Sequence, residues 1–531
     1  MGYQAYIRSF ADHDGDGMGD LRGIVDKVDY LAWLGVDAVW INPFFPSPGH
    51  DHGYDVSDYV DVDPQHGTLA DFDELISATR KVGIRVIVDI VPNHTSNEHA
   101  WFTAAVADPT GPFRDFYIWK PPAADGGPPN NWVSHFGGPA WTFEPVSGEY
   151  YCHLFLPEQP DLNWQNPAVA DAFDTALRFW LDRGAAGFRI DVAHGCHKDP
   201  LFRDNPQLRT VTPNMSPRAV FDSFDHRFDL DQDTNIEVFR RWNQVVEPYG
   251  AVLIGELGAE DAERAARYVA DGDALHQLFY LRSTWLEWEP AEWKTSIESL
   301  QAIAPGGVSW VLSCHDRPRP ATRFGRGVDD QRAISRSLAL STLAMVLGGM
   351  PFVYQGEELG LPDGNVDPNS VTDPLAARFS QWAGEGRDGC RTPMPWDSTP
   401  NNGFTRGEPW LKSAPRPAEL TVESQRDDPE STIHRYRDLL AFRHKTPQLC
   451  EGQARVLDLG PSVIAIERPH CLAITNLATE AFSVDLSTLT LPGGPWHQSF
   501  SSKNGVLEAK NDSFSEVAAE STSIYLNGAP S

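Results

Sequence analysis

Three acidic residues stand at the ends of short apolar runs: Asp191 closes GFRID, Glu256 closes AVLIGE and Asp316 follows VSWVLSCH. A lone strand-end aspartate caps the next helix about as often as it does chemistry; three of them at successive edges point to a shared site. Arg189 lies two positions before Asp191, so on a strand the two side chains share a face. A guanidinium there is expected to hold the Asp191 carboxyl down and keep it ionised, as a nucleophile requires. Glu256 follows an apolar strand and a glycine with no cation next to it in sequence. Burial is expected to raise its pKa and let it carry a proton near neutrality. Two carboxyls in opposite protonation states are the equipment for cleaving a glycosidic bond, with retention of configuration when roughly 5–5.5 Å separates them.

These strand ends need a scaffold, and the sequence supplies eight β-rich runs: YQAYI at 3–7, AVWI at 38–41, RVIVDIV at 85–91, GFRID at 187–191, AVLIGE at 251–256, ALHQLFY at 274–280, VSWVLS at 308–313 and PFVYQG at 351–356. Helical patterns lie between them, at 21–35, 71–83 and 331–349 among others, each closing at a glycine. The alternation predicts an α/β fold, a (β/α)8 TIM barrel over 1–94 and 163–448, with its chemistry at the C-terminal ends of the strands. The stretch after the third strand is too long for an ordinary loop, and 95–162 is expected to form a small inserted domain. Residues 357–428, rich in Gly, Pro and charged side chains, read as a loop-rich wall of the site after the eighth strand. Alternating runs such as VIAIER, LAITNLA and SIYLN predict a C-terminal antiparallel β-sandwich domain over 449–531.

The balance of 43 basic against 74 acidic side chains, a net charge of −31, excludes nucleic acid and anionic membranes as natural partners. No apolar run approaches the roughly 18 residues needed to cross a bilayer, and the first residues have neither the basic nor the apolar part of a signal peptide. Six cysteines without CxxC spacing argue for free thiols in a reducing compartment, the cytoplasm, and against a zinc site.

DIVPNH at 89–94, QPDLNW at 159–164, GFRIDVAH at 187–194, GEL at 255–257 and HD at 315–316, in this order and spacing, resemble the α-amylase superfamily (glycoside hydrolase family 13), in its α-glucosidase and oligo-1,6-glucosidase branch. The resemblance implies Asp191 as nucleophile, Glu256 as acid/base and Asp316 as stabiliser of the transition state, with His94, Arg189 and His315 contacting the glucosyl unit. HDHGYDVSDY at 50–59 resembles the motif in which Tyr54 stacks on the sugar and Asp51 meets its non-reducing end, Asp55 holding the loop. GRDGCRTPMPW at 386–396 resembles the stretch that supplies an arginine to the terminal glucose, Arg387 or Arg391. An Asp–Arg pair across a pocket end stops further sugar units and implies exo action. Phe136 and Phe155 are expected to line the entrance and govern whether sugars or water accept the glucosyl unit.

Val192 matches the residue that favours α-1,6 links in oligo-1,6-glucosidases, whereas the AHG that follows resembles α-1,4-glucosidases. Cys314 departs from the family's Asn, and a thiol cannot replace two amide donors and a carbonyl acceptor. DHDGDGMGD at 12–20 offers Asp12, Asp14, Asp16 and Asp20 at a spacing able to wrap a hard cation, but an EF-hand would need Glu where Gly23 stands. The resemblance implies a structural Ca²⁺ loop instead, with the Met18 carbonyl as a further ligand and Mg²⁺ as the alternative ion. The expected activity is release of glucose from maltose and maltooligosaccharides, with isomaltose or sucrose as further substrates and transfer to sugars as a side reaction. A dextran-type α-1,6-glucosidase, a trehalose-phosphate hydrolase or a sucrose-acting transglucosidase are alternatives. A non-enzymatic relative, like transporter heavy chains, would need a membrane anchor and would lack the full catalytic set.

Overall fold

The computed structural model describes residues 1–258, 261–489, 491, 496–503 and 514–527; the parts of the expected C-terminal domain at 490, 492–495, 504–513 and 528–531 lie outside them. Eight parallel strands form the central sheet: β1 (Gly2–Ala5), β2 (Ala38–Ile41), β3 (Arg85–Ile90), β4 (Gly187–Ile190), β5 (Val252–Leu257), β6 (Gln277–Tyr280), β7 (Val308–Ser309) and β8 (Phe352–Tyr354). They are ordered β7-β6-β5-β4-β3-β2-β1-β8, and a parallel bridge from Val311 to Phe352 closes the ring. The barrel is thus the one the eight runs predict, with shorter strands. The run at 3–7 leaves the sheet after Ala5 and turns into a helical segment at Ile7–Phe10.

Almost every strand residue is buried, as expected for a parallel sheet covered by helices. Trp40, Ile87, Ile254, Phe279, Val311 and Phe352 pack together as one apolar cluster across six of the strands' segments. The predicted helix at 21–35 is two helices, Leu21–Asp26 and Val28–Leu34, interrupted at Lys27. The second ends at Gly35, whose φ of 96° is the left-handed conformation that glycine adopts without steric cost. The helix predicted at 71–83 runs Leu69–Lys81 behind a Thr68/Asp71 capping box.

Between β3 and the helix Pro167–Asp182 lies a three-stranded antiparallel sheet of Trp119–Lys120, Trp141–Glu144 and Glu149–Cys152. Its apolar cluster includes Trp132, Trp141 and Leu154, and is completed by Phe221 and Leu230 from the segment after β4. Hydrogen bonds lace the two together: Trp132 Nε1 donates to the Arg203 carbonyl at 2.9 Å and Asn131 Nδ2 to that of Asn205 at 2.9 Å. Beyond the last barrel helix, Thr432–Lys445, an antiparallel sheet runs Arg455–Leu457, Val463–Arg468, Cys471–Asn476, Ser521–Asn527 and Trp496–Ser501 in spatial order. Phe482–Asp485 and Phe514–Val517 pair separately. Glu520 fastens this domain to the barrel by accepting from Arg332 and Arg336. Among the described residues no helix is long and apolar enough to cross a membrane.

Candidate active site

β4 and β5 pair with Ile190 beside Gly255, a register that carries the next residues, Asp191 and Glu256, to the same rim. On the other side Asp89 of β3 stands directly beside Arg189. Arg189, buried, joins all three carboxyls. Its Nη1 donates to Asp89 at 3.0 Å and to Asp191 Oδ1 at 2.9 Å, and its Nη2 donates to Glu256 Oε2 at 2.5 Å. The guanidinium carbon lies 4.7 Å from the Trp40 ring centre, so the cation is held flat as well as paired.

This arrangement corrects two expectations. Glu256 does have a cation against it, supplied by the neighbouring strand where sequence adjacency could not show it. Asp191 is not held down: burial first, then the Glu256 carboxylate, push its pKa well above the usual carboxylate range, with Arg189 opposing. Asp89, which sequence reasoning left unassigned although it opens the DIVPNH run, is raised to about 6 by burial against Arg189, Tyr54 and Trp40.

In a second cluster, Asp51, Asp316 and Asp373 are joined by one arginine. Arg387 donates through Nη2 to Asp51 Oδ1 at 2.8 Å, through Nη1 to Asp316 Oδ1 at 3.1 Å and through Nε to Asp373 Oδ2 at 2.5 Å. Arg391 donates to the same Asp316 oxygen at 2.6 Å and to the His315 carbonyl at 2.8 Å. Burial alone would raise Asp316; His315 and the two guanidiniums reverse the sign and hold it well below the usual range. The wall at 357–428 is therefore a source of cations for the carboxylates of other loops. Asp373 carried no sequence signal beyond membership of that wall.

His315 is sandwiched between the rings of Tyr6, at 5.6 Å, and Tyr54, at 5.2 Å and 3°. Its Nδ1 is 2.9 Å from Gln4 Nε2. The Tyr54 hydroxyl donates to Asp89 at 3.0 Å and accepts from Asn42 at 2.8 Å, which fixes the orientation of this buried ring. Asp55 accepts the backbone N–H groups of His50 and Asp51 at 2.8 and 3.0 Å, and so shapes the loop that presents Asp51. His94 packs at 5.1 Å from Phe155 and contacts Gln159 at 3.0 Å; burial lowers its pKa to about 4, leaving a neutral imidazole. Phe136 lies 6.3 Å from Phe155 and beneath Arg387 at 5.3 Å. Thus the inserted domain's aromatics meet the arginine of the wall.

Val192 adopts a φ of 42°, rare for a β-branched residue and maintained only where surroundings fix it. Its N–H donates to Glu256 Oε2 at 3.3 Å and the Ala193 N–H to the Glu256 carbonyl at 3.0 Å. The turn after Asp191 is thereby pinned to Glu256. Cys314 packs in the apolar cluster of Trp40, Phe279 and Phe352, and burial pushes its thiol up to about 12.

In the loop at 12–20, carboxylate oxygens of Asp12, Asp14 and Asp20 lie within 4.8 Å of one another, a donor set that fits a hard cation. Asp16 is not in this group; its Oδ1 accepts the Met18 N–H at 2.7 Å. Gly17, at φ 98°, is required because a Cβ there would come within 1.8 Å of the Glu408 carbonyl oxygen.

A ring of parallel strands with paired carboxyls at its rim and an arginine between them is the arrangement of a sugar-cleaving barrel enzyme. The family model described as the alpha amylase catalytic domain matches residues 4–452, and the chain belongs to this family of glycoside hydrolases, in its α-glucosidase branch. It is 39% identical over 501 residues to a probable alpha-glucosidase of Rhizobium meliloti, covering 91% of this chain and 90% of the relative. Oligo-1,6-glucosidase of Halalkalibacterium halodurans is 35% identical over 505 residues, covering 88% and 87%. The crystal structure of an alpha-glucosyl transfer enzyme, XgtA, superposes with a TM-score of 0.91 at 38% identity, covering 99% of this chain and 98% of that one.

Proposed function

We propose that the protein is an exo-acting retaining α-glucosidase that releases glucose from the non-reducing end of short α-1,4-glucosides such as maltose and maltooligosaccharides, with transfer to sugar acceptors as a side reaction. The observation that carries this reading is Arg387, which joins Asp51 to Asp316, an Asp–Arg pair that blocks further sugar units at the non-reducing end. Asp316, kept ionised, accepts hydrogen bonds from glucosyl hydroxyls, while Tyr54, His94 and His315 pack about the ring. The Asp191 carboxylate attacks the anomeric carbon while Glu256, acting as general acid, gives a proton to the leaving oxygen, and a β-glucosyl ester forms on Asp191. Arg189 remains on both carboxyls as their charges exchange. Glu256 then takes a proton from water, or from a sugar hydroxyl, which attacks the ester and restores the α configuration.

A second reading, α-1,6 specificity, rests on Val192 beside the nucleophile and is also the activity named for the Halalkalibacterium halodurans relative. Comparing kcat/KM on maltose and isomaltose decides between the two, and absence of glucose release from either refutes both. Following by NMR the anomer first released from 4-nitrophenyl α-glucoside, whose leaving group is not a sugar, tests retention: β-glucose as the initial product overturns the double displacement. The six unpaired cysteines support a reducing, cytoplasmic setting, and the Asp12, Asp14 and Asp20 cluster supports a structural Ca²⁺, with Mg²⁺ the alternative.

A further inference from the structure

Arg317, the residue after Asp316, differs from every other arginine of the site. Arg189, Arg387 and Arg391 are each locked to carboxylates. Among the described residues the Arg317 guanidinium has neither an ion pair nor a hydrogen bond, and its buried Nε has no partner. It is nonetheless held in place, lying flat over the ring of Trp285 at 3.5 Å. The same ring carries Arg218 at 5.2 Å, so two guanidiniums share one aromatic platform that is itself 45% exposed. Arg218 is paired with Asp222 at 2.9 Å; Arg317 is the member left with uncompensated charge.

The position of this platform gives it a role. The loops after β2 and β8 supply Asp51 and Arg387, which close the non-reducing end. Arg218, Trp285 and Arg317 come from the segments after β4, β6 and β7, on either side of the β5 strand that carries Glu256 in its last turn. The group that leaves with the acid/base proton departs toward Glu256, so it meets these loops. Burial first, and then Arg218, lower Arg317 to about 10, against the pull of Asp316 and Glu256. An anion between the two guanidiniums relieves that repulsion, and a guanidinium with unoccupied donors presents the fork that carboxylate and phosphate oxygens match.

We propose, resting on the α-glucosidase reading above, that Arg317 and Arg218 on Trp285 form a leaving-group subsite selecting α-glucosides whose aglycone carries an anionic group, a carboxylate or a phosphate. The net charge of −31 does not oppose this, because recognition is local to Arg317 and Arg218, and charges beyond a Debye length are largely screened.

The test uses matched pairs on the full chain: 4-carboxyphenyl against 4-carbamoylphenyl α-glucoside for the carboxylate arm, and trehalose 6-phosphate against trehalose for the phosphate arm. The expected result is a kcat/KM ratio favouring the anionic member of at least one pair by about tenfold, the size of one charge-assisted hydrogen bond. The arm that shows it identifies the anion. In Arg317→Gln the ratio falls toward one, Arg218→Gln lowers it less, and Arg317→Lys keeps part of it. A wild-type protein that cleaves the neutral member of both pairs as well as the anionic one overturns the proposal. So does an Arg317→Gln variant that slows both members together and leaves the ratio unchanged, which would make Arg317 a packing residue of Trp285. Failure to cleave any α-glucoside, neutral or anionic, refutes the α-glucosidase reading instead, and is thereby distinguished.

Discussion

Arg189 donates to Asp191 through one terminal nitrogen, at 2.9 Å, and to Glu256 through the other, at 2.5 Å. One cation thus serves both the proposed nucleophile and the proposed acid/base, and it also binds Asp89. Arg189→Met leaves three buried carboxyls without their common counter-ion. Breaking a buried pair by removing one partner costs about 3–5 kcal/mol, so the urea midpoint is expected to fall by that equivalent at an unchanged slope. A midpoint within experimental error of wild type would show that the carboxyls find compensation elsewhere.

The same cluster sets the acid limb of activity. Asp191 must be ionised to attack, and its pKa is raised by burial and by Glu256, with Asp89 adding to the effect. The acid limb of kcat/KM is therefore expected above the usual aspartate range. Asp89→Asn removes one negative neighbour, favours ionised Asp191 and should move that limb to lower pH. A shift to higher pH contradicts the assignment.

Asp191→Asn is expected to lose at least about 10³-fold in kcat, because the covalent route has no substitute nucleophile. Mass spectrometry of wild type with a slowly turned-over fluorinated glucoside should find the added glucosyl mass on the peptide containing Asp191. Wild-type turnover in the variant removes it from the role.

Arg387→Ala opens the far end of the pocket. Its prediction is a loss of at least about tenfold in kcat/KM on maltose, from one charge-assisted contact, and the appearance of maltose among the products from maltopentaose. Glucose as the sole product from the variant would mean that another group closes the end.

Four buried histidines, His66, His94, His99 and His153, have pKa values lowered to about 4 by burial. In the unfolded chain they take up protons near pH 6.5, so the unfolded state binds more protons between about pH 6.5 and 4. Their contribution falls as pH drops through that window, and thermal midpoints should decline there in His94→Asn less steeply than in wild type. Chelation of a cation from the Asp12, Asp14 and Asp20 loop should likewise lower the midpoint by several degrees, and restoring Ca²⁺ should reverse it.

The barrel was legible because each strand is a compact apolar run with its own punctuation, and Asp191, Glu256 and Asp316 were legible because each ends or follows such a run. What was not legible depends on lateral register. Nothing near Glu256 in the chain says that Arg189, 67 positions earlier, reaches it, because that contact follows from how β4 slides against β5. Asp373 and Arg317 were hidden for the same reason: the first is one of many charges in an irregular wall, and the second has meaning only once Trp285 from another loop lies beneath it. The linkage of Asp16 to the cation loop illustrates the converse, since regular spacing along the chain did not guarantee convergence in space.

Phe221 and Leu230 complete the apolar cluster of the segment inserted after β3, and Trp132 and Asn131 hydrogen-bond to carbonyls of the 203–205 stretch. The insertion is consequently not a transplantable module. A chimera exchanging 95–162 alone with a relative would seat a foreign sheet on this protein's β4 loop and mismatch both its tryptophans and its hydrogen bonds. Exchanging 196–231 along with it would keep the shared cluster and hydrogen bonds together as a single heritable unit, which makes these two distant stretches one block for engineering acceptor preference.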